Sequence, residues 1–200
     1  MATKFPRNVD KDMVRWAHAW AAAASQTYET IESISIPESP ATEAGRRDAM
    51  TMVLVDAVRN VARGAESSFG QGSELIRRFN EAHPQLKNLR DRFEHYEDYV
   101  RGTGVAQREG RERGGTPLEL DTAGIEISAS SGGGLEGHLV CIAVIERDSN
   151  GQPTKVTYEA PSKTITAAAR QLARDLVEAA GMLDEHHLDR CEICADPRNL

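Results

Sequence analysis

The chain has 200 residues, of which 28% are charged and 40% are hydrophobic, and its formal net charge is −7. This length allows one domain with a hydrophobic core, and this composition excludes a largely disordered chain. The acidic charge argues against a protein that coats nucleic acid non-specifically, although it leaves room for a local basic site. Because no apolar run approaches a membrane span and residues 1–10 lack the apolar core of a secretion signal, we expect a cytoplasmic protein.

The first half of the chain shows the three- and four-residue apolar spacing that is typical of amphipathic helices. Helices are predicted over 9–34, 42–63, 74–82 and 84–101. In the first of these we expect Trp16 and Trp20 to pack in the core, as large aromatic side chains usually do. In the second, Val53 belongs to the apolar side that we expect to be buried.

The second half changes character, because from Leu118 the apolar period becomes two and predicts β-strands. The segment Asp148–Gly151 between two such runs indicates a hairpin, and a last helix is predicted over 164–186. The small sheet would not be stable alone, so we predict one mainly α-helical domain with a small antiparallel β insertion before the C-terminal helix. The predicted divisions of this single domain, 1–200, are a helical core at 9–101 and 161–186, a linker at 102–117, a β insertion at 118–160 and a C-terminal tail at 187–200.

The most specific pattern lies in the fourth predicted helix, where Arg90 and Asp91 precede His95. An always-charged guanidinium and an imidazole that exchanges protons near neutral pH are groups that can cleave a phosphodiester without a metal. On a continuous helix Asp91 can accept a hydrogen bond from His95, whereas Arg90 points away from it, so a second copy of the helix would be needed to bring guanidinium and imidazole together. The face expected to be buried carries Leu86, Leu89, Phe93, Tyr96 and Val100.

These residues resemble the Arg-x4–6-His motif of the HEPN domain family, in which the residue after the arginine is usually polar. The amino-acid sequence from Leu89 to Asp98 is especially similar to that of HEPN proteins of the abortive-infection type. The resemblance covers about a dozen residues, and the predicted strands and the C-terminal cysteines depart from it. It implies a HEPN-like helical bundle, a homodimer, and a metal-independent endoribonuclease in a toxin–antitoxin or antiphage system, with an antitoxin or another defence protein as a further partner.

The implied mechanism assigns each motif residue a role toward an RNA substrate. His95 transfers a proton at the ribose 2′-hydroxyl or at the leaving 5′-oxygen, Arg90 holds the scissile phosphate, and Asp91 orients His95. The products would carry a 2′,3′-cyclic phosphate, and DNA would resist cleavage because it lacks the 2′-hydroxyl. The expected substrate-binding residues are Lys87, Arg92 and Tyr99.

Two alternatives stay open, and both give the motif no catalytic role. A HEPN-like module could dimerise or bind a partner without cleaving RNA, and the acidic net charge favours that alternative. The other alternative is a zinc-dependent regulatory protein. Cys191 and Cys194 form a C-x-x-C pair, the spacing of zinc-knuckle ligands, and His187 lies just before them. The sequence contains only one such cysteine pair, so we expect no cofactor and unligated thiols.

Overall fold

The structure is a computed structural model that describes residues 9–34, 41–108, 116–120, 125–131 and 138–183 together with Cys191 and Ile193. Over 41–44 and 125–131 it describes the backbone alone. The helices within these ranges are α1 (Lys11–Ser33), α2 (Ala41–Phe69), α3 (Glu74–Ala82), α4 (Pro84–Glu94), α5 (Tyr96–Val100) and α6 (Ser162–Ala179). The strands are β1 (Ile125–Ser131), β2 (His138–Arg147) and β3 (Pro153–Pro161). The predicted fold class, mainly α with a small antiparallel insertion before the C-terminal helix, is confirmed.

Small side chains allow α1 and α2 to pack closely. The buried face of α1 carries Ala17, Ala21 and Ala24, all fully buried. Opposite them lies Gly64 of α2, where an added Cβ would come within 2.6 Å of the Ala17 Cβ. A larger residue at position 64 would therefore force the two helices apart. α6 packs against both of these helices and completes the helical core.

The tryptophan prediction is wrong for Trp16 and only partly right for Trp20. Trp16 is 36% exposed, while Trp20 is partly buried against the core and meets Trp16 in an edge-to-face arrangement with centroids 5.9 Å apart. The close approach of the alanine face leaves no room for indole rings, so they lie at its margin. In α2 the buried face also differs from the predicted one, because Val53, which we expected to be buried, is 44% exposed.

The predicted helix over 84–101 is divided at His95. This residue has φ −109° and ψ 27°, so α4 ends before it and α5 begins after it. The division rotates the buried face: Leu86 and Leu89 are buried as predicted, whereas Tyr96 and Val100 are exposed and Tyr99 is buried in their place. Gly102 ends this segment with φ 74°, and an added Cβ there would lie 2.2 Å from the Leu118 carbonyl oxygen.

The three strands form an antiparallel meander in the order β1-β2-β3, with β2 in the centre. The predicted hairpin is confirmed: Asp148 accepts hydrogen bonds from the backbone of Asn150 and Gln152, and Gly151 takes a positive φ of 76°. The inner face of β2 buries Val140, Ile142 and Val144 in the same core as the helices. The sheet is thus part of the domain core, and α4 lies against β2 and β3.

Two predicted helix ends are displaced. α2 continues through Gly64, which packs against α1, and ends at Phe69 before Gly70 with φ 86°, while α6 ends at Ala179, shortly before Gly181 with φ 64°. The predicted helix end between 35 and 40 and the glycine-rich part of the linker at 109–115 lie outside the described residues. None of the helices within the described ranges is both long enough and apolar enough to cross a membrane.

Candidate functional site

Arg90 lies on the solvent side of α4, with its side chain 33% exposed. Its Nε and Nη2 donate hydrogen bonds of 3.0 and 2.7 Å to one oxygen of Asp91, and Nε lies 3.8 Å from an oxygen of Glu94. Glu94 in turn forms an ion pair with Arg59 of α2. Because partly exposed ion pairs contribute less than about 1 kcal/mol, an incoming anion can displace Asp91 from Arg90.

An open cleft of about 350 Å³ lies between α2, α3 and α4, and Arg90 forms part of its wall. Arg59 and Lys87 contribute two further cations, while Glu66 contributes a carboxylate. The apolar part of the lining comes from Val55, Val58, Ala62, Ile76, Phe79 and Leu86. The lining thus combines three cations and one carboxylate with an apolar part, a composition that is compatible with an anionic ligand.

His95 is presented by the junction between α4 and α5. Its side chain is 53% exposed, and its Nδ1 lies 3.4 Å from an oxygen of Asp98. The backbone N–H of His95 donates to the Asp91 carbonyl, which ties the junction to the end of α4. His95 does not contribute to the cleft lining, so one copy of the chain does not bring its imidazole into the cleft beside Arg90.

The predicted contact between Asp91 and His95 is absent within this described segment. Asp91 instead accepts a hydrogen bond from Arg90, and the carboxylate next to the imidazole is that of Asp98. The physical reason is the break at His95, which removes the continuous helical geometry on which that contact depended. A carboxylate therefore lies beside the imidazole, but it comes from α5.

Of the three expected substrate-binding residues, Lys87 alone lines the cleft. Arg92 is directed to the sheet, where its guanidinium donates to Glu146 at 2.8 and 3.0 Å and to the Tyr158 hydroxyl at 2.9 Å. The side chains of Arg92 and Glu146 are only 12% and 9% exposed. Tyr99 is 3% exposed, so neither Arg92 nor Tyr99 is placed to contact RNA.

Arg92, Glu146, Tyr158 and Tyr99 together form what we call the sheet anchor. The Arg92 guanidinium carbon lies 4.4 Å from the Tyr158 ring centroid and 5.7 Å from that of Tyr99. The Tyr158 hydroxyl donates to the second Glu146 oxygen at 3.0 Å. Burial, reinforced by the Glu146 carboxylate, raises the pKa of Tyr158 to about 12. The sheet anchor thus fixes α4 on β2 and β3 and sets the orientation from which Arg90 reaches the cleft.

The described residues contain no group of three or more His, Cys, Asp or Glu side chains that could hold a metal ion. They do contain a contact of 3.1 Å between His18 Nε2 on α1 and Cys191 Sγ. The other expected zinc ligands, Cys194 and His187, lie outside the described residues.

Sequence reasoning did not find Arg59 in the cleft wall, Glu146 as the partner of Arg92, or His18 as the partner of Cys191, because each of them is distant in sequence and meets its partner only after folding. The three-residue spacing places Asp98 on the same helix face as His95, but the orienting role was predicted for Asp91. Comparison of the chain with protein-family models, curated proteins and solved structures found no match.

Proposed function

We propose that the protein is a metal-independent endoribonuclease of the HEPN type, acting as a homodimer in antiphage defence or as a toxin. The observation that supports this best is the placement of Arg90 in the wall of an open, cation-rich cleft while His95, five residues later, is half-exposed beside a carboxylate. A guanidinium for the phosphate and an oriented imidazole for the proton are the two parts that the reaction needs.

In the proposed reaction the cleft binds RNA through its phosphate backbone. Arg90 exchanges Asp91 for the scissile phosphate, and Lys87 and Arg59 hold neighbouring negative charge. His95 takes the proton of the 2′-hydroxyl, whose oxygen attacks phosphorus while the bond to the 5′-oxygen breaks. Asp98 stabilises the imidazolium that forms, and the departing 5′-oxygen takes a proton from water in the open cleft, so the products are a 2′,3′-cyclic phosphate and a 5′-hydroxyl. The imidazolium then returns its proton to the hydroxide that is left, which restores neutral His95.

A dimer supplies the geometry that one chain lacks, because Arg90 and His95 do not share the cleft in a single copy. The exposed apolar side chains Tyr96 and Val100 lie four residues apart on α5, directly after His95. Pairing of two such helices would bury these side chains and bring each His95 close to the partner's cleft.

The test is RNA cleavage by the wild-type protein and by His95→Ala and Arg90→Ala. Loss of general acid–base catalysis typically lowers a rate by about 10²–10⁴-fold, and we expect both variants to fall in this range. Arg101→Ala is the matched control, since Arg101 follows α5 on the same segment and forms an exposed ion pair with Glu97. A 2′-deoxy substitution at the cleavage site should abolish the reaction, and a chelator should not affect it. Cleavage that persists in His95→Ala would refute the proposal.

The alternative is a HEPN-like interaction module without catalysis. The observation that favours it is that the carboxylates of Asp91 and Glu94 lie beside Arg90 and compete with a phosphate for its guanidinium. In that case the wild-type protein would be dimeric yet leave RNA intact. Size measurement and the cleavage assay, carried out on one preparation, therefore separate the two functions.

A further inference from the structure

Glu94, the last residue of α4, contacts two of the three cations that line the cleft. One of its carboxylate oxygens forms an ion pair with Nη2 of Arg59 on α2, and the other lies 3.8 Å from Nε of Arg90 on α4. Arg59 and Arg90 both form part of the cleft lining, whereas Glu94 does not. One carboxylate beside the cleft therefore lies between guanidinium groups from two different helices.

A phosphate group can take the place of this carboxylate. Like a carboxylate, it presents oxygens that accept hydrogen bonds from guanidinium groups, and it carries more of them. Arg59 has a donor for a further oxygen, because its Nε is buried and has no acceptor among the described residues. An unsatisfied buried donor costs free energy, so a ligand that lets Arg59 turn and use Nε gains an interaction that Glu94 does not provide.

The position of Glu94 makes its carboxylate easy to displace. The C-terminal end of a helix carries the negative end of the helix dipole, so α4 itself does not favour an acidic side chain there. The side chain of Glu94 is 29% exposed, so it can turn into solvent and keep its charge hydrated. Ion pairs with this degree of exposure are weak, which leaves the two arginines open to exchange of their anion.

We propose that Glu94 is an internal competitor of the anionic ligand, and that the phosphate backbone of RNA displaces it from Arg59 and Arg90. RNA as the ligand rests on the proposed function, whereas the exchange of one anion for another rests on these contacts. In the free protein Glu94 opposes the binding of small anions, which have only these two arginines to gain. A polyanion that also reaches Lys87 gains a further contact, so the cleft selects for a chain of phosphates.

The experiment measures binding of a fluorescent RNA oligonucleotide in which every 2′-hydroxyl is methylated, so that the proposed reaction cannot consume it. Fluorescence anisotropy at low ionic strength should show about 3- to 10-fold tighter binding to Glu94→Gln than to the wild-type protein, because the weak ion pairs no longer compete. In an Arg59→Ala background the same substitution should give a smaller gain, since one of the two groups for which Glu94 competes is then missing. If Arg59→Ala fails to fold, Glu94→Gln and its control decide alone.

Glu97→Gln is the matched control, because Glu97 lies on α5 and forms an exposed ion pair with Arg101. It removes the same charge from the same segment, so it measures the effect of net charge, and its affinity should stay within about 2-fold of the wild-type value. The proposal is overturned if Glu94→Gln binds no more tightly than Glu97→Gln, if the gain is undiminished in Arg59→Ala, or if neither the wild-type protein nor Glu94→Gln binds the oligonucleotide. Failure to cleave unmodified RNA would instead count against the ribonuclease function and leave this comparison of affinities valid.

Discussion

Two arginines on α4, Arg90 and Arg92, are two residues apart and have opposite surroundings. On an α-helix this separation turns the side chains by about 200°, so they point to opposite sides. Arg92 enters the sheet anchor, where Glu146 and Tyr158 satisfy its guanidinium and little of it remains exposed. Arg90 stays one-third exposed at the cleft and is held by a carboxylate on its own helix.

The difference separates an arginine that stabilises the fold from one that is available to a ligand. Removing one partner of a buried pair leaves the other charge desolvated, which makes the pair costly to break. A partly exposed pair can exchange its carboxylate for solvent or phosphate at little cost. On this ground we propose Arg90, and not Arg92, as the residue that binds a ligand, whereas Arg92 holds α4 on the sheet.

The largest expected effect on stability comes from breaking the sheet anchor. Arg92→Ala should lower the free energy of unfolding by about 3–5 kcal/mol, because it leaves the Glu146 carboxylate buried without its partner. Arg90→Ala should lower it by less than about 1 kcal/mol. Chemical denaturation of both variants alongside the wild-type protein measures the two changes.

Equal losses of stability in these two variants would contradict the distinction between the arginines. Arg77→Ala provides a reference for a surface pair, since Arg77 bridges Glu74 and Glu81 on the exposed side of α3. Its effect should match that of Arg90→Ala and stay well below that of Arg92→Ala.

A smaller effect is expected from the Tyr158 hydroxyl. Tyr158→Phe should cost about 1 kcal/mol at neutral pH, since one hydrogen-bonded group is removed from the sheet anchor. The pKa of Tyr158 is raised in the folded state to about 12, so its hydroxyl stabilises the fold below the unfolded value near 10, and this contribution is lost as the pH rises through about 12. Denaturation at neutral pH and in this alkaline range should show that the free energy of unfolding falls less with rising pH in Tyr158→Phe than in the wild-type protein.

The control for this pH dependence is Thr157→Ala, because Thr157 is exposed next to Tyr158 on β3 and has no group that ionises in this range. That variant should follow the wild-type alkaline profile. An unchanged profile in Tyr158→Phe would mean that the sheet anchor does not couple tyrosine ionisation to folding.

The elements of the fold could be predicted from sequence because periodicity and turn residues are local signals. The helices, the hairpin at Asp148 and the buried face of α4 at Leu86 and Leu89 followed from them. The break at His95 could not be predicted, since no proline or glycine marks it. That one break exchanged Tyr96 for Tyr99 in the core.

The candidate site was only partly predictable, for a related reason. Arg90, His95 and Lys87 are visible as residue types on one segment, but their surroundings depend on side chains brought together by folding. Arg59 reaches Glu94 from α2, and Glu146 captures Arg92 from β2, so an arginine that looked suited to RNA is held in the fold. Local sequence supplies the chemical groups, whereas tertiary structure decides which of them a substrate can reach.

The most direct test of the proposed shared site is to mix the two inactive variants, Arg90→Ala and His95→Ala, and let their subunits exchange. In a mixed dimer with shared sites, one site loses both groups, whereas the other combines an intact Arg90 with the partner's intact imidazole. The account therefore predicts that RNA cleavage reappears on mixing, with a cyclic phosphate product. If subunits exchange, as shown by a size or affinity tag on one variant, and cleavage stays absent, the two groups do not act across the dimer and the central claim is wrong.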